Sequence, residues 1–155
     1  MQSIRMHEFI SDVIVNAAQL AYVEDANGTN MLLLQLNEFY RYNIRDSNIA
    51  TLYKEIDILK KYIAIQKMRA GDRFSVEVEN DFVYQSLYVQ RMSLVGFVDK
   101  ILTELMEQSL YVWLKIVIQL DPSIMVHLYQ RTDKGEYDYK FKLDIELFEK
   151  NDGNV

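Results

Sequence analysis

Apolar residues recur at three- and four-residue spacing between Ile4 and Tyr22, at Phe9, Ile10, Val13, Ile14, Ala17, Leu20 and Ala21, a stripe that predicts an amphipathic helix. The run EDANGTN, residues 24–30, is rich in turn formers and ends it. A second helical stretch follows from about Asn30 to Tyr42, until NIRDSN interrupts it. Thr51 then offers a helix N-cap with Glu55 close behind. Leu52, Ile56, Leu59, Ile63 and Met68 keep one face apolar up to Gly71, a residue suited to stopping a helix.

At Arg73 the period changes. Phe74, Val76 and Val78 alternate with Ser75, Glu77 and Glu79, as in a strand with one face on a core and one in water. Helical spacing returns from Met92 to Met106. From Tyr111 to Leu120 the pattern alternates again, with Val112, Leu114, Ile116, Ile118 and Leu120 on one side, and DPS turns the chain. Ile124–Tyr129 and Tyr137–Leu147 flank the Gly-containing run RTDKGE and predict a long antiparallel hairpin, with Tyr137, Tyr139, Phe141, Leu143, Ile145 and Leu147 on a common face. The tail EKNDGNV is expected to fray. The order of helices, strand, helix and three strands gives an α+β chain: a helical hairpin over residues 1–70, then a small layered unit with a mostly antiparallel sheet over residues 71–155.

Composition narrows the function classes. Half of the 155 residues are apolar, enough for one compact core or a hairpin joined to a small sheet unit. Seventeen basic against twenty-three acidic residues leave a net charge of -6 with no basic cluster to overcome phosphate-backbone repulsion, so a nucleic-acid partner is not expected. The absence of cysteine excludes disulfides, thiolate nucleophiles and Cys-based zinc sites, and fits a reducing cytoplasm. No apolar run approaches the ~20 residues of a membrane span, so direct membrane insertion is not expected either. P-loop, HExxH, GxSxG and EF-hand patterns are missing, and no metal or cofactor is expected.

Three stretches carry a resemblance. Arg41-Tyr42-Asn43, then Thr51-Leu52 with Glu55, then YIAIQKMRAGDRF from Tyr62 to Phe74 follow the RYN, TLxxE and YIxIQKxRxGDRF runs of LytS/YesM-type sensor histidine kinases. The chain resembles that family over roughly residues 4–106. The family's NPHFLYNTL lines up on MHEFISDVI, residues 6–14, and IPxxxxQPLVENAIKHG lines up on VQRMSLVGFVDKILTEL, residues 89–105. The resemblance implies a dimerising helical hairpin followed by an ATPase-like α/β sandwich. It also implies departures. Glu8 stands where the family carries its phosphoaccepting histidine, and a carboxylate offers no neutral imidazole nitrogen to attack a γ-phosphate. Lys100 stands where the family's Mg²⁺-binding asparagine is expected, and an ammonium cannot ligate a cation. Asp99 keeps the neighbouring acid, while Glu104 and Leu105 replace a histidine and a glycine. Asp133 and Gly135 fall where the adenine-binding DNGxG run is expected, with Tyr137 in place of its second glycine. There a vestigial nucleotide contact and a plain hairpin turn are both open.

His7 precedes Glu8, an arrangement in which an acid can orient a phosphoaccepting ring; a solvated histidine in the first helix is the plainer alternative. His127 sits within a strand without an acid or hydroxyl at catalytic sequence spacing and reads as structural. Asp99, Glu104 and Glu107 read as a solvated acidic helix face, and Tyr22, Phe39, Tyr40 and Tyr42 as helix-packing aromatics. The expectation is a catalytically degenerate, cytoplasmic histidine kinase homologue acting as a protein-interaction module. Its expected partners are a related kinase or a response regulator, and its expected state is a homodimer through Phe9, Val13, Leu36 and Leu59. An ATP-independent histidine phosphotransferase acting through His7 is the alternative.

Overall fold

Among the described residues the chain forms four α-helices and two small sheets. In the computed structural model, which describes residues 2–80, 87–120 and 123–146, helix α1 spans Gln2–Val23 and α2 spans Asn27–Asn43. The expected turn DPS lies partly, and Leu147 and the tail wholly, outside the described residues. Helix α2 starts three residues earlier than expected, at Asn27, because Asn27 and Gly28 fall in its first turn, where backbone N–H groups have no helical partner and helix-poor residues cost little. The two helices run antiparallel along a polar seam. Ser11 donates to Asn37 Oδ1 at 2.7 Å, Asn30 donates to the Ala18 carbonyl at 2.7 Å, and small Ala18 and Ala21 are buried between them.

Helix α3 covers Leu52–Ala70, with both ends built as the sequence suggests. Thr51 accepts the Lys54 N–H at 3.2 Å, and Gly71 ends the helix at φ 64°, a conformation that favours glycine. A short β1, Ile49–Thr51, precedes α3 and pairs antiparallel with β3, Tyr88–Gln90. Strands of three residues leave too few positions to show a period, and neither was expected.

The larger sheet has the order β2-β4-β5-β6, where β2 is Phe74–Asn80, β4 is Val112–Leu120, β5 is Ile124–Thr132 and β6 is Gly135–Leu143. Strands β2 and β4 are parallel, in the register Val76↔Leu114, and helix α4, Ser93–Gln108, lies on the crossover between them. The remaining pairs are antiparallel, with Ile116↔Leu128 and Leu128↔Tyr139. The final hairpin is tighter than the expected one. Only Asp133 and Lys134 separate its strands, and Gly135 at φ 139° opens β6. Ile145 therefore lies past the end of β6, exposed.

Helices α3 and α4 cover one face of this sheet. Leu52, Ile58, Leu59, Leu94, Leu114, Ile116, Ile124 and Leu128 are fully buried in one cluster that reaches Tyr42 at the end of α2. Each such side chain stabilises the fold by roughly 1.5–3 kcal/mol. Within this apolar layer one carboxylate is wholly enclosed. Glu55 is 0% exposed, and it accepts from the Tyr42 hydroxyl, from Met92 N–H at 3.1 Å and from Leu94 N–H at 3.2 Å, at the start of α4. Replacing it by Ala strands two buried donors and the half-buried Met92 N–H. Glu55→Ala should lower the unfolding free energy by about 3–5 kcal/mol, and urea denaturation followed by circular dichroism measures this; a loss below about 1 kcal/mol would show that water replaces the carboxylate at no cost.

Candidate functional site

The residues singled out by the sequence fall in three separate places. His7 and Glu8 lie on α1. The His7 ring is half-buried, its Nδ1 2.5 Å from the Tyr40 hydroxyl on α2, while Glu8 is exposed. Because Tyr40 engages Nδ1, the nitrogen left for chemistry is Nε2. Lys100 and Asp99 lie on α4, both exposed as residues, yet the Asp99 carboxylate accepts from the Tyr62 hydroxyl at 2.5 Å. Asp133 and Gly135 lie in the β5–β6 turn. There Asp133 Oδ1 accepts the Leu110 N–H at 2.8 Å, and Thr132 Oγ1 accepts the Lys134 N–H at 3.1 Å, so both side chains serve the turn and its neighbouring loop. Among the described residues no hydrogen bond or ion pair joins His7 or Glu8 to Asp99, Lys100 or Asp133.

The expected interface residues divide. Phe9 is 64% and Val13 49% exposed, on an α1 face continued by Met6 and Leu20, whereas Leu36 is half-buried. Leu59 is wholly enclosed between α3 and the sheet, so its surface is spent inside the chain and it offers nothing to a partner. The helical period shows that Leu59 shares a face with Leu52 and Ile56, but not that the sheet covers that face.

His127 also differs from its expected setting. Its Nε2 lies 3.4 Å from Asp138 Oδ2, and its ring packs on Tyr129 with centroids 3.9 Å apart. Asp138 is one strand over and pairs with Tyr129, so only the β5–β6 register reveals it. This pair belongs to the open face of the sheet, where Lys115 meets Glu79 at 2.9 Å and Arg131 meets Glu136 at 2.8 Å. A shallow cleft of about 850 Å³ runs over this face beside Trp113 and Tyr129. Among the described residues no three His, Asp or Glu side chains gather as a metal centre requires, and no helix is long and apolar enough to cross a membrane.

Two polar assemblies escaped the sequence reading. In one, Glu55 joins α2 to α4 as described. In the other, Arg91 donates to the Tyr42 and Asn43 carbonyls at 2.8 Å each and to the Ser47 carbonyl at 2.5 Å, closing the last turn of α2. A signal for the first was present: Glu55 falls between Leu52 and Ile56 on the apolar face of α3, where a solvated acid has no place.

Tyr42 and Tyr62, each hydrogen-bonded to a carboxylate, have their phenols pushed well above tyrosine's usual range, first by burial and then by Glu55 and Asp99 respectively. A raised folded-state value favours the protonated form in the fold, so this contribution to stability is complete below about pH 10, where free tyrosine ionises, and falls as pH rises beyond it. Ultraviolet titration should therefore show two tyrosines that ionise only as the chain unfolds. Tyr62→Phe should remove one of them and flatten the alkaline loss of stability; ionisation of all the tyrosines near pH 10 in folded protein would contradict this.

Comparison with known proteins places part of this architecture. Residues 2–74, which comprise α1, α2, β1 and α3 and reach the first residue of β2, match the family model described as Histidine kinase. The chain is also 36% identical over 59 residues to the Sensor protein LytS of Staphylococcus haemolyticus (strain JCSC1435), a stretch that covers 37% of this chain and 10% of that protein. The chain thus spans about a tenth of the length of the curated relative that it matches.

Proposed function

We propose that this chain, a LytS-type histidine kinase-related protein through the segment of α1 to α3, is a catalytically degenerate kinase homologue that acts in signalling by binding other proteins. The family relationship supports the signalling role. The observation that supports the degenerate reading is the residue set at the positions that the sequence resemblance assigns to the family's sites. The resemblance puts exposed Glu8 at the phosphoacceptor position and exposed Lys100, beyond the matched residues 2–74, at the metal-binding one, and neither side chain can do the chemistry of the residue expected there. The Asp133–Gly135 turn, whose carboxylate is engaged by Leu110 N–H, is at most a remnant of an adenine contact. Cytoplasmic location, and a related kinase or response regulator as partner, belong to the same proposal. In it residues 1–70 supply association and residues 71–155 form the reduced ATPase-like part.

A protein that had kept productive nucleotide binding would gain about 2.7 kcal/mol of stability at ligand a hundred times its dissociation constant. Millimolar Mg-ATP should leave the melting temperature unchanged. A rise of several degrees would overturn the degenerate reading. So would acid-labile phosphate on His7 after mixing with a phosphorylated response regulator, since the Tyr40-held ring would then be a working phosphotransferase.

Association rests on α1. The outward stripe of Met6, Phe9, Val13 and Leu20 is exposed in the single chain while the α1–α2 seam is polar. A second copy that covers this stripe completes a four-helix bundle of the kind in which such hairpins assemble. A homodimer at micromolar concentration is expected by light scattering. Val13→Glu, at a half-exposed position that the monomer tolerates, should shift it to monomer with its circular dichroism spectrum retained. A clean monomer for the unmodified chain would refute self-association.

A further inference from the structure

On the open sheet face Lys115, His127 and Arg131 each meet a carboxylate of the same chain. A different balance holds at the joint between the helical hairpin and the sheet unit. Two clefts of about 570 and 340 Å³ share Tyr42, Arg45 and Lys54 in their walls; Arg41 lines the larger and Arg91 the smaller. Four cations therefore border this space. Of the two acids that line the larger cleft, Glu38 is engaged by Lys61 at 2.8 Å, which leaves Asp46.

Among the described residues neither Arg41 nor Arg45 has a carboxylate within ion-pair distance; the Arg45 guanidinium lies 5.8 Å from the centroid of the Tyr42 ring. The plain duty of such arginines, satisfying the last carbonyls of α2, is already met. Arg91 donates to the carbonyls of Tyr42 and Asn43, and the Ile44 N–H donates to that of Tyr40. Lys54 is held loosely, 3.5 Å from Asp57, which Lys61 contacts more closely at 2.7 Å. In a chain of net charge -6, Arg41 and Arg45, without a carboxylate partner among the described residues, together with the loosely held Lys54, form a local field around this concavity that draws anions from solvent.

We propose that this joint binds a small organic phosphate, whose phosphoryl oxygens are taken by Arg45 and Lys54 while its less polar part lies along Ile49 and Tyr88 in the smaller cleft. A phosphoryl group suits the site better than a carboxylate. It carries more charge, and its oxygens can be shared among cations that approach from α2 and α3 separately, with a guanidinium fork on two of them. The clefts fall within the size range of ligand sites, which is roughly 300–1,000 Å³. An occupant would touch the end of α2 and the start of α3 together, bracing the hairpin against the sheet unit.

The site uses neither His7, Lys100 nor Asp133, so its fate is separate from that of the proposed kinase degeneracy. Isothermal titration at fixed ionic strength, with phenyl phosphate and inorganic phosphate as probes, tests it. Phenyl phosphate should bind saturably and more tightly than inorganic phosphate. Arg45→Gln and Lys54→Gln should each weaken it by about tenfold, with unchanged circular dichroism, since both side chains lie outside the core. Lys115→Gln, on the sheet face, should leave binding as it was. No saturable heat with either probe up to about 10 mM would overturn the proposal, and so would equal losses in all three variants. Equal affinity for the two probes would overturn the organic part of the ligand.

Discussion

The enclosed carboxylate of Glu55 is the constraint on which the rest of the molecule turns. Removing a carboxylate from water costs several kcal/mol even after relaxation, and among the described residues no cation is paired with it directly; its offset is three donors from two other elements. Two of those are main-chain N–H groups at the start of α4. An anion there also meets the positive end of the helix dipole. The third is the Tyr42 hydroxyl at the end of α2. One side chain of α3 thus fixes where α2 ends and where α4 begins, and α4 in turn carries the crossover that makes β2 and β4 parallel. Arg91 completes the joint from the outside by closing the carbonyls of the same turn of α2.

Because the attachment is polar and local, the hairpin of α1 and α2 depends on it heavily. In proteins most helical stability comes from packing of an amphipathic face, and the seam between these two adds hydrogen bonds and small residues rather than a deep apolar core. Such a seam fixes register well. Sliding one helix along the other would break the Ser11–Asn37 and Asn30–Ala18 bonds at once. It stabilises weakly, however, because each bond contributes only about 0.5–1.5 kcal/mol net. The apolar surface that could add more, at Phe9 and Val13, faces away from the seam.

Much of this was legible in the sequence. Periods of 3.6 and 2 located the four helices and the four longer strands. Thr51 and Gly71 bounded α3 because capping is a local matter of one side chain and one φ angle. The strand pair β1–β3 was not legible, since three residues carry no period. The Asp138–His127 contact was not legible because register is set by the turn, which proved two residues long rather than six. Leu59 shows a different limit. Periodicity tells which residues share a face but not what covers it, and the sheet covers α3 where a partner helix was expected.

The same limit bears on the similarity to histidine kinases. The family match ends at residue 74, where α3 and its following turn have just given way to β2. The matched segment contains Tyr42 and Glu55 but not Met92 and Leu94, the backbone donors that Glu55 requires. A buried carboxylate without those donors would be a heavy liability, so the matched segment keeps a stable place for Glu55 only if the chain beyond residue 74 returns a helix start to it. Here VQRMSL does so: Met92 adopts a left-handed φ of 66° just before α4, turning its N–H, with that of Leu94, toward the two carboxylate oxygens. The half of the chain beyond the match is therefore tied to the matched half by a specific chemical requirement.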